Sequence, residues 1–216
     1  LERIRYTSPH PEDINDELLQ IMSKYDNICN YVHLPLQSGS NKILKRMNRT
    51  YSKQHFLSLV NRIRNALPNV GISTDIIVGF PGESDNDFDE TLDVMKKVKF
   101  DSAFNFKYSV RRGTKASEYE DQIPEKIKQE RLQRVIDLQK EHTLNRNLKI
   151  VGTSQEVLVE KESKMLKTQW AGRTDSNKWV VFDKENLKIN DTISVKINEA
   201  KGITLYGHLI QILEAA

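Results

Sequence analysis

An apolar run that ends in a glycine loop constrains the fold of this chain more than any other feature. Ile76, Ile77 and Val78 are consecutive β-branched residues, as in a strand buried on both faces. Residues 79–83, Gly-Phe-Pro-Gly-Glu, follow, and their two glycines let the backbone turn sharply and approach a ligand. Ser84 then begins a segment with helical spacing of its apolar residues. Ligands of α/β proteins bind at such loops, although a loop that only turns the chain has the same pattern.

The composition is that of a soluble globular protein with one large domain or two modest ones. The chain has 216 residues, of which 38% are hydrophobic and 29% are charged. It has no apolar run long enough to span a membrane and no signal-peptide pattern, so no membrane partner is expected. It begins with Leu-Glu-Arg and not with Met, which indicates a fragment of a longer protein. The net charge of +3 permits a nucleic-acid partner without requiring one.

Cysteine usage points to a reducing compartment. Cys29 is the single cysteine, which excludes an internal disulfide and any multi-cysteine metal site built from this chain alone. We therefore expect a cytoplasmic protein. Because Cys29 begins an apolar run, we predict a buried, inert thiol.

The first two thirds of the chain alternate predicted strands and helices. The predicted strands cover residues 3–7, 28–36, 72–78 and 101–109, and the predicted helices cover residues 14–25, 42–47, 52–67, 84–98 and 124–148. Ser40, Ser52 and Ser84 are the expected helix caps, and Pro35 indicates a strand end or bulge. This alternation predicts an α/β fold with a parallel sheet, either barrel-like or doubly wound.

Two further apolar patterns occur, one at strand spacing and one at helical spacing. Phe104, Phe106 and Tyr108 share one face of the fourth strand. The long last helix has an apolar stripe, which we expect to pack on the core: Ile127, Leu132, Val135, Ile136 and Leu138.

The pattern changes near residue 150, where helical periodicity gives way to short alternating strands. The run Trp179-Val180-Val181-Phe182 is the most compact of these strands, and turn signals separate it from its neighbours. We predict a small all-β barrel of about five strands. The predicted domains are therefore residues 1–148 and residues 149–216.

Three polar loops follow consecutive strands of the α/β part. They contain residues 37–40, 79–83 and 111–114, and in a parallel barrel they would gather on one face. Their amide, hydroxyl and guanidinium groups suit a polar organic ligand. His33 is interpreted as a hydrogen-bonded core histidine in preference to a catalyst. Asp75 opens a buried strand, where a structural role and a ligand contact are equally compatible with the sequence.

The β part carries basic residues around two tryptophans. Lysine and arginine side chains surround Trp170 and Trp179, a composition that suits RNA phosphates and stacked bases. A solvated face over two core tryptophans would give the same pattern. The basic residues are Lys164, Lys167, Arg173, Lys178 and Lys184.

Long motifs in the chain resemble those of one enzyme family. Residues 3–11, 33–40, 44–51 and 73–83 are similar to the radical-SAM methylthiotransferases, most closely the MiaB type, and the segment from residue 150 resembles the TRAM domain. The resemblance implies the second part of a partial TIM-like radical-SAM barrel, followed by a TRAM RNA-binding barrel. It also implies methylthiolation of isopentenyl-modified adenosine next to the tRNA anticodon, with tRNA as partner.

A few positions decide the subfamily. Relatives directed at threonylcarbamoyladenosine tend to have a cysteine where this chain has Ser40, and relatives that modify a ribosomal protein tend to have acidic residues at Arg111 and Arg112. Methylthiotransferases with those targets remain alternatives. The family's prolines are replaced here by Val110, Arg112 and Lys115, which weakens the inference for this loop.

The family's cluster-binding cysteines do not occur in this sequence. By the family's chemistry, the full-length protein carries two 4Fe-4S clusters and S-adenosylmethionine, and a cluster cleaves S-adenosylmethionine to a carbon radical. A chain with Cys29 alone is predicted to hold no cluster and to be inactive without the missing N-terminal half. The alternative from another class is a non-catalytic RNA-binding module that recognises the anticodon stem-loop.

The resemblance also implies site residues. No catalytic or metal-binding residue is predicted in this chain. The cofactor contacts implied for S-adenosylmethionine are Gln37, Ser38, Asp75, Gly79, Phe80, Pro81, Gly82, Glu83, Tyr108 and Ser109. The RNA contacts implied are Arg111, Lys115, Arg173, Lys178 and Trp179.

Overall fold

Three parallel strands form the sheet of the α/β part. The computed structural model describes residues 3–6 and 10–215. Strands β1 (Tyr31–His33), β2 (Gly71–Val78) and β3 (Ser102–Lys107) pair in the order β1-β2-β3. Side chains on one face of the sheet, among them Val32 and Ile72, are completely buried in the core against the helices.

Five helices surround this sheet: α1 (Asp16–Lys24), α2 (Asn41–Arg46), α3 (Lys53–Ala66), α4 (Asp85–Val98) and α5 (Glu125–Leu148). The three predicted serine caps are confirmed. Ser40, Ser52 and Ser84 each accept a hydrogen bond from the backbone N–H three residues further on. The Asp87 carboxylate in turn accepts a hydrogen bond from the backbone N–H of Ser84, which completes a capping box at the start of α4.

The first two predicted strands are shorter than expected. Of the strand predicted over residues 3–7, an isolated bridge between Ile4 and Ile28 is observed, and residues 7–9 lie outside the described part of the chain. The strand predicted over residues 28–36 extends only from Tyr31 to His33. Pro35 has no N–H to donate, and Gln37 has a left-handed φ of 68°, so the chain leaves the strand here.

The predicted apolar stripe of α5 is confirmed in part, because Leu132, Val135 and Leu138 pack in or against the core. Of its residues only Val135 is fully buried, and Ile127 is exposed. The buried face of the helix is mostly polar: Lys128, Arg131, Gln139, His142, Thr143 and Asn147. Arg131, Gln139, Thr143 and Asn147 bond to loops and strand ends, so their burial depends on partners that are distant in sequence.

A closed five-stranded barrel follows α5, as predicted. Its strands are β4 (Ser154–Glu162), β5 (Gln169–Thr174), β6 (Trp179–Asp183), β7 (Thr192–Lys201) and β8 (Thr204–Glu214), in the closed order β4-β5-β6-β8-β7. Its core is a second cluster of buried apolar side chains, separate from that of the α/β part. Closure leaves no unpaired strand edge in this barrel.

The barrel packs against the N-terminal ends of the parallel strands. Asn30, just before β1, donates its backbone N–H to Asp175 of the β5–β6 turn at 3.0 Å. Gly71, the first residue of β2, lies so close to the same turn that a Cβ atom would be 2.4 Å from the carbonyl oxygen of Ser176. The barrel therefore occupies the edge of the sheet opposite to the polar loops. None of the helices in residues 3–6 and 10–215 is both long and apolar enough to cross a membrane.

Candidate functional site

A cavity of about 890 Å³ opens beyond the carboxyl ends of the parallel strands. The loop after β1 contributes Gln37, β2 contributes Asp75 and Ile77, and the end of β3 contributes residues 106–109. The lining is completed by residues 45–49, at the end of α2 and just after it, and by several residues from 111 to 119. The three polar loops named from the sequence thus meet at one place.

The structure divides the predicted site residues into three groups. Those that line the cavity are Gln37, Asp75, Phe80, Tyr108, Ser109, Arg111 and Lys115. Those that support its loops without lining it are Ser38, Gly79, Pro81, Gly82 and Glu83. The remaining three belong to the small barrel: Arg173, Lys178 and Trp179.

Gln37 is strained and has an unsatisfied polar atom. Its φ of 68° is in the left-handed region, which costs a non-glycine residue on the order of 1 kcal/mol or more. Its backbone stays paired, because Gln37 N donates to Asp75 O at 2.8 Å and Ile77 N donates to Gln37 O at 2.9 Å. Its side-chain Oε1 is buried and has no partner among the described residues. Strain together with an orphaned buried oxygen is typical of a ligand contact.

Three further polar atoms beside the cavity are buried without a partner in the described part of the chain. They are the Nε atoms of Arg46 and Arg49 and the hydroxyl oxygen of Tyr108. The ring of Tyr108 packs edge-on against Phe80, with 5.1 Å between the ring centroids. The site therefore combines donors, an acceptor and an aromatic wall, which are the groups that bind a polar ligand with a ring system.

The glycine loop is shaped by a buried carboxylate. Glu83 accepts hydrogen bonds from the backbone N–H groups of Gly79 at 2.7 Å and Phe80 at 3.3 Å, and from Arg131 at 3.1 Å. Burial raises the pKa of Glu83 to about 6, although Arg131 and the two N–H groups favour the ionised form. Glu83 thus stabilises the glycine loop without lining the cavity, and Phe80 is the loop residue that faces the cavity.

Ser38 has a comparable supporting position. It is almost fully buried, accepts a hydrogen bond from the backbone of Ser40 at 3.2 Å and lies 3.4 Å from the hydroxyl of Thr91 in α4. Its neighbour Gly39 donates its N–H to the same threonine at 2.9 Å. These contacts fix the loop after β1 against α4.

The cavity wall is strongly basic. Six cationic side chains and one carboxylate, that of Asp75, line it: Lys45, Arg46, Arg49, Lys107, Arg111 and Lys115. Arg46 pairs with Asp121 at 2.7 Å, and Lys107 pairs with Glu125. The other four have no carboxylate partner within the described residues, so the site suits an anion larger than a single carboxylate. Lys45 and Arg49 were missed as site residues, and their signal was the basic run after α2.

A polar array continues from the cavity along the uncovered face of the sheet. His33 Nε2 lies 3.4 Å from Asp75 Oδ2, its Nδ1 lies 2.7 Å from Ser73 Oγ, and that hydroxyl lies 2.5 Å from the hydroxyl of Tyr31. His33 is therefore in contact with a polar group at both ring nitrogens, and its tautomer decides which partner donates at each contact. His33 is hydrogen-bonded, as predicted, and it is a neighbour of the cavity residue Asp75.

Comparison with known proteins supports both parts of the chain. The sequence profile of the radical SAM superfamily matches residues 2–95, and that of the TRAM domain matches residues 149–210. The chain therefore carries a radical SAM segment followed by a TRAM domain. The residues that match the TRAM domain form most of the closed barrel of β4 to β8.

Curated relatives match over nearly the whole chain. Two of them are named tRNA-2-methylthio-N(6)-dimethylallyladenosine synthase. That of Carboxydothermus hydrogenoformans is 46% identical over 97% of this chain and 48% of its own length. That of a Thermoanaerobacter species is 45% identical over 99% of this chain and 45% of its own length. The chain spans about half the length of the curated relatives it matches.

A solved structure shares the fold. The radical SAM enzyme coproporphyrinogen III oxidase from Escherichia coli superimposes with a TM-score of 0.53 and 14% identity, over 78% of this chain and 45% of that one. The predicted fold class, a partial radical-SAM barrel followed by a TRAM barrel, is confirmed.

Within the TRAM barrel, two of the predicted RNA contacts have protein partners. Arg173 pairs with Glu160 at 2.8 Å and also bonds to Asn177. Lys178 is withdrawn from solvent and donates to Asp101 of the radical SAM part at 2.5 Å. Lys178 therefore lies in the contact between the domains, and its role as an RNA contact stays a prediction. Trp179 lies between the cations of Lys161, at 4.0 Å, and Arg173, at 5.2 Å from its ring centroid.

The described residues contain no group of three or more histidine, cysteine or acidic side chains that could hold a metal ion. Cys29 is a free thiol that is 1% exposed, as predicted, and burial raises its pKa. A buried, protonated thiol is a poor metal ligand.

Proposed function

We propose that this chain is the part of a tRNA methylthiotransferase that binds S-adenosylmethionine and tRNA, and that the whole enzyme modifies isopentenyl-modified adenosine next to the anticodon. The observation that carries the proposal is the match of both domains, in one continuous alignment, to relatives named for that product. The basic cavity at the carboxyl ends of the strands supports it. The proposed division of the chain falls between residues 148 and 149.

The cavity residues fit S-adenosylmethionine. The orphaned Gln37 Oε1 and the Tyr108 hydroxyl could bond to its polar groups, and the guanidinium of Arg49 suits its carboxylate. Asp75 could accept from hydroxyl or amino groups, and Phe80 offers an aromatic wall for a purine ring. When bound in the complete enzyme, this cofactor supplies the carbon radical and the methyl group. The residues of this chain would bind and orient it.

The residues described here do not fit an iron–sulfur cluster, which needs several thiolates. We therefore assign both proposed 4Fe-4S clusters to a missing N-terminal half of the same protein, which would be the chain's obligate partner. This chain alone would then be inactive. The buried Cys29 suits the reducing cytoplasm, where we place the function.

The RNA partner is supported by the excess of positive charge at the cavity. Lys45, Arg111 and Lys115 have no carboxylate partner among the described residues and could meet the phosphates beside the target base. On the TRAM barrel, Trp179 with its flanking cations remains the proposed contact for the anticodon stem-loop.

Binding of this chain to an isopentenyl-modified anticodon stem-loop, as a function of salt concentration and beside an unrelated hairpin, tests the proposal. We expect a preference for the anticodon stem-loop and a clear loss of affinity with added salt. Arg111→Met should weaken RNA binding, whereas Arg62→Met should not, because Arg62 pairs with Asp16 on the outer helices.

Equal and weak binding to both hairpins would contradict an RNA role for this part. Calorimetric titration with S-adenosylmethionine separates the two ligands, since Gln37→Ala should weaken cofactor binding in the absence of RNA. RNA binding that is strong but indifferent to the cofactor would favour the non-catalytic RNA-binding module. Preference for a stem-loop with threonylcarbamoyladenosine would favour the relatives with that target.

A further inference from the structure

The contact between the two domains is built from buried charges. Asp101, just before β3, is 6% exposed and accepts a hydrogen bond from the backbone N–H of Ile72 at 3.0 Å. Arg146 of α5 donates to both of its oxygens, at 3.1 and 3.0 Å. Lys178 of the TRAM barrel reaches the same carboxylate at 2.5 Å. One carboxylate thus joins a strand, a helix and the TRAM barrel.

The partners of Lys178 leave it little freedom. Its ammonium group also donates to Asn147 Oδ1 at 3.1 Å, and the amide of Asn147 donates to the TRAM carbonyl of Gly202 at 3.0 Å. Burial alone would raise the pKa of Asp101, but Lys178 and Arg146 outweigh it and hold the pKa below its usual range. Asp101 is therefore ionised at neutral pH, and the side chains of Lys178 and Asp101 are only 10% and 5% exposed.

The same TRAM turn is held from a second side. Arg3 donates to the carbonyl of Arg173 at 2.8 Å, and Arg5 donates to the carbonyl of Thr174 at 3.0 Å. The β5–β6 turn is consequently fixed by the first residues of the chain and by the start of every parallel strand. Such a contact resists rotation, in contrast to a single covalent linker.

We propose that Asp101 and Lys178 are positioning residues of the RNA site. They hold the TRAM barrel in one orientation relative to the cavity, so that one RNA meets the cavity cations and the barrel at the same time. The proposal rests on the RNA binding proposed above. Its physical basis is effective concentration: an RNA bound at one surface finds the second surface already in place, and a loosened joint removes that advantage.

Asp101→Asn gives the sharpest test, because loss of charge and loss of the fixed orientation predict opposite changes in RNA affinity. Removal of a negative charge alone should slightly tighten binding of the polyanionic anticodon stem-loop. Loss of the fixed orientation should weaken it, by about tenfold. Asp93→Asn is the matched control, since Asp93 pairs with Lys97 on the exposed face of α4 and touches no part of the TRAM barrel. We expect the control to bind as tightly as the unmodified chain or slightly more tightly.

A distance measurement in the 216-residue chain tests, without RNA, whether the Asp101–Lys178 contact fixes the orientation of the two domains. Spin labels at Asn65→Cys on α3 and Gln211→Cys on β8 report the separation of the domains, and both positions are exposed while the native Cys29 is buried. We expect a narrow distance distribution in the parent chain and in Asp93→Asn, and a broad one in Asp101→Asn. A narrow distance distribution in Asp101→Asn would contradict the claim that Asp101 fixes the orientation of the TRAM barrel.

The outcomes separate the two proposals. A broad distribution with unchanged RNA affinity in Asp101→Asn would overturn the positioning role and leave the proposed function intact. Absence of stem-loop binding by the parent chain would overturn the proposed function and with it the RNA role of the joint. If Asp101→Asn does not fold, Lys178→Met keeps the Asp101–Arg146 pair, and Lys201→Met is the control that removes a barrel cation paired with the exposed Glu199. Weaker RNA binding by Lys178→Met than by Lys201→Met supports the proposal, and equal binding contradicts it.

Discussion

Arg131 Nη1 lies 3.1 Å from Glu83 Oε1, and the two side chains are only 7% and 3% exposed. The same nitrogen donates to the backbone carbonyl of Glu83 at 3.0 Å. Because Glu83 in turn receives the N–H groups of Gly79 and Phe80, helix α5 determines the shape of the glycine loop that borders the cavity.

Arg131→Met should destabilise the chain strongly, because it leaves the Glu83 carboxylate buried without its cationic partner. We expect a loss of about 3–5 kcal/mol in the free energy of unfolding, measured by urea denaturation at pH 7.5. Arg134→Met is the control on the same helix, since its pair with Asp89 is exposed and should contribute no more than about 1 kcal/mol. Similar losses in both variants would show that the buried pair has no special weight.

Glu83 should also make stability depend on pH in an unusual direction. Its pKa is about 6 in the folded chain against 4.5 in the unfolded one, so the folded state binds more protons between these values. Its contribution to stability therefore increases as the pH falls from about 6 to about 4.5, by about 2 kcal/mol. Glu83→Gln should lack this contribution.

The measurement is the difference in unfolding free energy between the parent chain and Glu83→Gln, at pH 7.5 and at pH 4.5. The other titrating groups cancel in this difference because they are common to both proteins. A difference that does not change between the two pH values would mean that the pKa of Glu83 is not raised.

Local sequence patterns were sufficient to predict the helices and their caps. The burial of polar side chains depended on partners that are distant in sequence. Ser40, Ser52 and Ser84 cap their helices as expected, because a cap is formed by residues three positions apart. The buried face of α5 was not predictable from periodicity, since Gln139 is buried only because it reaches the carbonyl of Phe100. The burial of Lys178 was not predictable for the same reason, because its partner Asp101 is 77 residues away.

The location of the candidate site was predictable from the sequence. The side chains that line it were predictable only in part. The carboxyl ends of parallel strands meet by topology, which brings Gln37, Asp75 and Tyr108 together. Whether a loop residue faces the cavity depends on how its neighbours are held. Ser38 and Glu83 turn to α4 and α5, where hydroxyl and guanidinium partners exist.

Tyr51→Phe should loosen the loop that contains Gln37. The hydroxyl of Tyr51 lies 3.0 Å from the carbonyl of Pro35 and 3.1 Å from that of Leu36, and burial raises its pKa to about 12. We expect a loss of about 1–2 kcal/mol, because the variant removes the donor from buried carbonyl groups. Tyr25→Phe serves as the exposed control and should change stability by less than about 0.5 kcal/mol. A neutral Tyr51→Phe would contradict the contact.

Asp87→Asn should separate two loops that border the site. Asp87 accepts hydrogen bonds from Ser40 at 2.6 Å and from Lys42 and the backbone of Ser84, both at 2.9 Å. Burial alone would raise its pKa, but these donors outweigh it and hold the pKa well below its usual range. We expect a loss of about 2–3 kcal/mol, since a helix cap and charge-assisted hydrogen bonds disappear together.

Asp89→Asn on the same helix is the control for Asp87→Asn, because the Asp89 carboxylate is 63% exposed and should contribute no more than about 1 kcal/mol. The stabilisation by Asp87 is present above the ordinary aspartate pKa near 3.8 and is lost as the pH falls below it, so the two variants should converge in acid. Urea denaturation at pH 7 and pH 3 measures both effects. A gap between Asp87→Asn and Asp89→Asn that is as large at pH 3 as at pH 7 would show that the ionised carboxylate does not connect the loops.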